Sequence, residues 1–327
     1  MTKALYTITE VSKLIANDKI LLISGDETLL DKLPEGRWIG GTTPYFMAPE
    51  GCLFSQELLH VVDLTDFVTD VKLASYDENQ ICNVVSEEFD NGFTVLILPA
   101  HQPVWHAYAM ESPNYSNLYT NPVIGWVSGV KYENVGIESP KTYLGTTKFK
   151  AQAVAMHLKL PENLIARVEI INLYEPGNGD VIKFPEKGFE SNRCIVNGKD
   201  QSLYQYFKSV NADEPLPIVA NYSGAHINVG AIWDRKNEVA NLYAPVFPNV
   251  EYRLAKSKNV FYEQEFEDRI SKEKQDSIVF ACNCLMNYFT FGLEGKKLKG
   301  VSGPVTFGEI AYHLLNQTFA YLLIEEK

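Results

Sequence analysis

Two strongly apolar runs, Ile278 to Ala281 and Phe319 to Ile324, enclose a polar stretch close to the end of the sequence. The first runs straight into Cys282-Asn283-Cys284. The segment Gly303-Pro-Val-Thr-Phe-Gly-Glu309 then leads into a polar knot, His313 to Thr318, before the second. Runs this short and this apolar read as buried strands. Polar groups held between buried strands must find hydrogen-bond partners or bind something. The expectation is a C-terminal sheet, with Cys-Asn-Cys as a turn and with Cys282, Cys284, Glu309 and Asn316 presented at strand ends.

The rest of the chain mixes strands and helices without a regular alternation. Thr7-Ile-Thr-Glu10 is a capping box, and Ile8, Val11, Leu14 and Ile15 follow at helical spacing. Lys19 to Ile23 reads as a buried strand, and Gly36 to Phe46 as a strand broken by Gly40-Gly41. Paired glycines allow positive φ or close approach of a neighbour. Asp77 to Phe89 carries a helical stripe that ends at Asp90-Asn-Gly92. Phe93 to Leu98, Val123 to Val130, Ala151 to Leu160 and Ile165 to Leu173 read as strands. Lys199 to Val210 and Val260 to Glu273 read as helices, and Pro217 to Trp233 as a hairpin turning near Ser223-Gly224. This pattern predicts an α+β protein of two domains, 1–160 and 161–327, each a mixed, largely antiparallel sheet packed with helices. No short-period repeat is visible, which argues against a solenoid or propeller.

Charge and cysteine usage narrow the partners. The 41 acidic residues outnumber 29 basic ones, for a net charge of −12, a field that repels nucleic-acid backbones and anionic membranes. No apolar run reaches the roughly 18 residues that a membrane helix needs, and no signal peptide is read at the N-terminus. The expectation is a cytoplasmic protein with neither nucleic acid nor membrane as partner. Five scattered cysteines make no disulfide framework, and no C-x-x-C pair suggests structural zinc.

Dinucleotide, P-loop, nucleophile-elbow and zincin motifs are all missing. Cys282 and Cys284 are either ligand-contacting or nucleophilic thiols, or small side chains buried for packing. His101 and His106 are five apart, which puts them on different faces of a helix and disfavours joint metal ligation. His226 and Asn228 alternate along a strand and share one face, toward solvent or toward a cavity. Glu309, in an apolar run beside Gly308, needs a donor partner, from a ligand amine or from a loop. Asn316 can bridge two backbones, or a backbone and a ligand.

The C-terminal motifs resemble FIST sensory domains. Phe307-Gly308-Glu309-Ile310 and Asn316-Gln317-Thr318 carry the likeness over 278–325, and Trp38-Ile-Gly-Gly-Thr-Thr43 is similar to the Gly-rich strand of the N-terminal half of that family. Leu285 and Asn287 stand where the family often has a basic residue. The resemblance implies a two-domain sensor that binds a small molecule between its halves and signals through a separate partner protein. It also implies haem as an alternative cofactor, although no histidine here maps to that role. The ligand residues expected on these grounds are Gly40, Gly41, Thr42, Thr43, His226, Asn228, Cys282, Cys284, Gly308, Glu309 and Asn316, holding an amino-acid-like metabolite. The competing readings are an enzyme with Cys282 or Cys284 as nucleophile, and an interaction protein with a vestigial pocket.

Overall fold

Two compact units make up the chain, and they do not follow the expected 1–160 and 161–327 division. The first comprises Met1–Ile171, Glu263–Leu314 and Phe319–Lys327; the second comprises Asn172–Tyr262 and Leu315–Thr318. The reason is strand pairing. Phe319–Glu326 pairs along its whole length with Leu164–Ile171 and, on its other side, with Ile278–Cys284. The C-terminal strands therefore complete the first unit. The computed structural model describes residues 3–212, 216–222, 225–256, 262–274 and 277–327. The expected turn at Ser223-Gly224 and the expected helix start at Val260 lie outside the described residues.

The protein is α+β, with several mixed, largely antiparallel sheets and six α-helices among the described residues. The first unit holds three six-stranded sheets with one shared plan. In the first sheet the order is Leu5–Tyr6, Leu59–Asp63, Leu21–Gly25, Trp38–Thr42, Thr142–Leu144, Thr147–Phe149. In the second it is Asp70–Tyr76, Ala153–Lys159, Gly92–Pro99, Val123–Ser128, Glu309–Ala311, His313–Leu315. In the third it is Leu164–Ile171, Phe319–Glu326, Ile278–Cys284, Gly303–Thr306, Tyr45–Met47, Leu53–Phe54.

Each sheet has one parallel pair at its centre, and in each the two parallel strands are joined by a helix: Glu27–Leu30, Pro103–Glu111 or Leu285–Thr290. After the second parallel strand the chain leaves its own sheet and adds a strand to the next. Residues 43–44 lead from the first sheet to the third, 129–141 from the second to the first, and 307–308 from the third to the second. The first unit is thus a cyclic set of three copies of one motif, at 5–63, 70–159 and 164–326. The third copy carries residues 172–262 as an insertion.

Local chemistry explains the elements. Thr7 Oγ1 accepts from Glu10 N while Glu10 Oε2 accepts from Thr7 N, so the capping box forms and starts the helix Ile8–Ala16. Leu21 and Ile23 face that helix and join Val11, Ile15, Leu29, Leu30 and Trp38 in a core. Each such buried side chain contributes about 1.5–3 kcal/mol. The opposite face of the sheet carries Gly41, where an added Cβ would lie 2.7 Å from Ile97 Cγ2 and 2.8 Å from Trp126 Nε1. The glycines therefore do not break the strand. Trp38–Thr42 runs through them, and Gly41 admits side chains of the second sheet; the break falls at Thr43-Pro44.

Two further expectations change. Asp77 to Phe89 forms only a 3-10 turn, Ile81–Val85. The Cys-Asn-Cys segment is the end of the strand Ile278–Cys284 rather than a turn. Among the described residues no helix is long and apolar enough to cross a membrane.

Candidate functional site

The sequence-derived residues divide between the two units. In the first, Cys282 and Glu309 come together as expected, both against the strand Val123–Ser128. The Cys282 thiol donates to Gly125 O at 3.3 Å, and Glu309 stands opposite Trp126 in the antiparallel register. They do not line a cleft, however. Both are fully buried, at 0% exposure, and Cys284 is at 2%. Burial pushes the Cys282 thiol well above its ordinary pKa, and the Glu309 carboxylate pushes the same way. A thiolate at this position is disfavoured twice over, by desolvation and by like charge. Gly308 shapes the crossover, its carbonyl accepting from Val127 N and Thr306 Oγ1.

In the second unit Asn228 and Asn316 belong to a closed amide network. Asn316 Oδ1 accepts from Gly230 N at 2.8 Å and its Nδ2 donates to Asn228 O at 3.1 Å. Asn228 Nδ2 donates to Asn172 Oδ1 and to Gln317 O, and Asn172 Nδ2 donates back to Asn228 Oδ1. These bonds hold 315–318 within that unit, and they occupy both ends of each amide. His226, two residues from Asn228, is exposed. His101 and His106 are both exposed as well, at the start of the helix Pro103–Glu111. Among the described residues no group of three or more His, Cys, Asp or Glu side chains is arranged to hold a metal ion.

Thr42 and Thr43 do line an open cleft. It lies at the carboxyl ends of the two parallel strands of the first sheet, Leu21–Gly25 and Trp38–Thr42. Its walls are Gly25, Asp26, Glu27, Thr42, Thr43, Pro44, Gln56, Gly129, Val130, Lys131 and Glu138, and it spans about 300 Å³ counted to its open mouth. The threonine hydroxyls are committed to backbone: Thr43 Oγ1 donates to Val305 O at 2.6 Å, and Thr42 Oγ1 accepts from Lys141 N at 3.0 Å. They fix the wall.

The three-copy plan shows what is special about this cleft. Near the corresponding end of the second sheet, Phe307 packs so tightly on Gly129 that a Cβ there would lie 2.1 Å from its ring. Near that of the third, just past Cys284, Tyr288 and Phe289 pack against Tyr45 with ring centroids 5.5 and 5.8 Å away. The cleft of the first sheet instead receives the crossover 129–141, where the other two copies have two residues each. A family model matches residues 6–325, nearly the whole chain. The chain belongs to DUF6976, a family of unknown function. No curated protein matches it.

Asp26, Gln56, Lys131 and Glu138 escaped the sequence reading of this DUF6976 chain. The available signal was the long stretch between two strands, Gly129 to Lys141, holding Gly136 and Ser139-Pro140. Connections of that length inside a compact unit tend to be functional. In the sequence, Asp26 belongs to Ser24-Gly-Asp-Glu27, which follows a strand and reads as turn punctuation. Its carboxylate does cap the following turn, with Oδ1 accepting from Thr28 N, but Oδ2 also receives Gln56 Nε2 across the cleft wall.

Proposed function

We propose that this chain is a small-molecule-binding protein of the sensory kind, working in the cytoplasm. It takes its ligand in the cleft of Asp26, Thr42, Thr43, Lys131 and Glu138 and passes occupancy to a separate partner protein. The observation that carries this reading is the break in the three-copy plan. One strand end has a polar cleft with a long crossover folded beside it, while the other two are packed with aromatic rings. The likeness of residues 278–325 to FIST sensory domains supports the same class of function. An enzyme with Cys282 or Cys284 as nucleophile is the weaker reading, because both thiols are buried. An interaction protein with a vestigial pocket is the third reading; the charged lining of the open cleft favours the first.

Thermal unfolding against a panel of small polar metabolites tests the reading. A ligand at about 100 times its Kd adds about 2.7 kcal/mol of stability. We expect at least one panel member to raise the melting temperature without being turned over, and the effect to vanish when residues 132–138 are replaced by two glycines. Silence across the panel, or turnover that depends on Cys282 or Cys284, refutes it.

A further inference from the structure

The charges around the cleft differ in how far they are compensated. Glu27 is neutralised by two cations, Lys148 at 3.0 Å and Lys141 at 3.4 Å. Asp26 has no cationic partner among the described residues; its Oδ1 serves Thr28, and its Oδ2 receives the neutral Gln56 amide at 2.7 Å. Among the described residues Glu138 likewise receives only a neutral amide, Asn134 Nδ2 at 3.0 Å. On the other sign, Lys131 reaches Glu133 only at 3.8 Å, with its ammonium 5.6 Å from the centre of the Phe54 ring. The cleft thus offers two carboxylates matched to amides alone and one ammonium with a distant partner.

Each ligand class meets this lining differently. A polyanion meets two uncompensated carboxylates and a chain of net charge −12. An apolar ligand would strip water from three charges and return nothing. A simple amine or a simple carboxylate satisfies one sign and leaves the other in a narrowed, less hydrated cleft. A molecule carrying both charges a few bonds apart satisfies both, and charge-assisted hydrogen bonds of this kind are the strong ones.

We propose that the cleft selects small zwitterions of the amino-acid type, with Asp26 and Glu138 receiving the ammonium group and Lys131 the carboxylate. This rests on the small-molecule reading of the same site and names its ligand class. The amino-acid-like ligand expected from Glu309 and Asn316 is thereby moved to other residues. Glu309 is sealed in the core and Asn316 is used by backbone.

Calorimetry and amide chemical-shift titration of the full chain provide the test, using the twenty standard amino acids together with ethylamine and propionate as one-charge halves of alanine. The variants are Asp26→Asn, which keeps the turn cap, and Lys131→Met, which keeps the stem beside Phe54. We expect one or more amino acids to bind at least tenfold more tightly than either one-charge probe. Asp26→Asn should weaken the amino acid and ethylamine at least tenfold and leave propionate unchanged. Lys131→Met should weaken the amino acid and propionate and leave ethylamine unchanged. If a one-charge probe binds as tightly as the best amino acid, or if both variants bind that amino acid as the wild type does, the zwitterion assignment is overturned and the small-molecule reading survives. If no amino acid binds, while the metabolite panel above still yields a ligand, the assignment falls alone; if neither yields one, both fall.

Discussion

Replacing Glu88 by glutamine should stabilise the protein at alkaline pH and leave it unchanged in acid. Glu88 Oε1 is buried without a hydrogen-bond partner, while Oε2 accepts from Asn121 Nδ2 at 3.2 Å. Burial raises the carboxyl from 4.5 to about 7, against the smaller opposing effect of the Asn121 bond. Between those values the folded state holds a proton that the unfolded state has released, so stability falls as pH rises through the window. A displacement of that size corresponds to about 3 kcal/mol for a fully desolvated group. Glu88 is only about half-buried, and solvent screening reduces the effect to about 1–2 kcal/mol. The amide introduced by Glu88→Gln cannot ionise and can still accept from Asn121. Urea unfolding of both proteins from pH 4 to pH 8.5 gives the difference curve, in which the other titrating groups cancel. We expect about zero below pH 4.5 and a variant more stable by about 1–2 kcal/mol above pH 7.5, with equal m-values. A flat difference, or a wild type that gains on the variant as pH rises, would falsify the burial account.

Two other outcomes can be checked directly. Gly41→Val should cost about 2–4 kcal/mol in chemical denaturation, because its side chain would have to displace Ile97 and the Trp126 ring; a loss under 0.5 kcal/mol would show that the sheets separate there easily. Of the five thiols only Cys82 is exposed, so a disulfide reagent at pH 7.5 should titrate one cysteine in the native protein and five after unfolding. Fast labelling of Cys282 or Cys284 in the native state would contradict their burial and revive the nucleophile reading.

Local signals in the sequence determined the elements whose causes are themselves local. The Thr7–Glu10 capping box starts its helix wherever that helix goes, because both partners lie within one turn. The apolar runs at Phe93, Ile278 and Phe319 became strands because a short run cannot close enough helical hydrogen bonds of its own and satisfies its largely buried backbone on neighbouring strands. The α+β class followed from those runs, as did the meeting of Cys282 with Glu309, since both had to end beside the same apolar strands. What lay beyond reach depended on which strand pairs with which. Nothing within 319–326 says that it will pair with 164–171 across the whole second unit, so the chain looked like two consecutive domains. Nor does any repeated residue pattern betray the three copies, which share strand order and crossover but not side chains. The site depended on that same long-range pairing. Glu309 carried the stronger chemical signal and was buried by the sheet beside it. Asp26, Lys131 and Glu138 are ordinary surface residues in sequence, and only the closing of the three sheets brings them to one cleft.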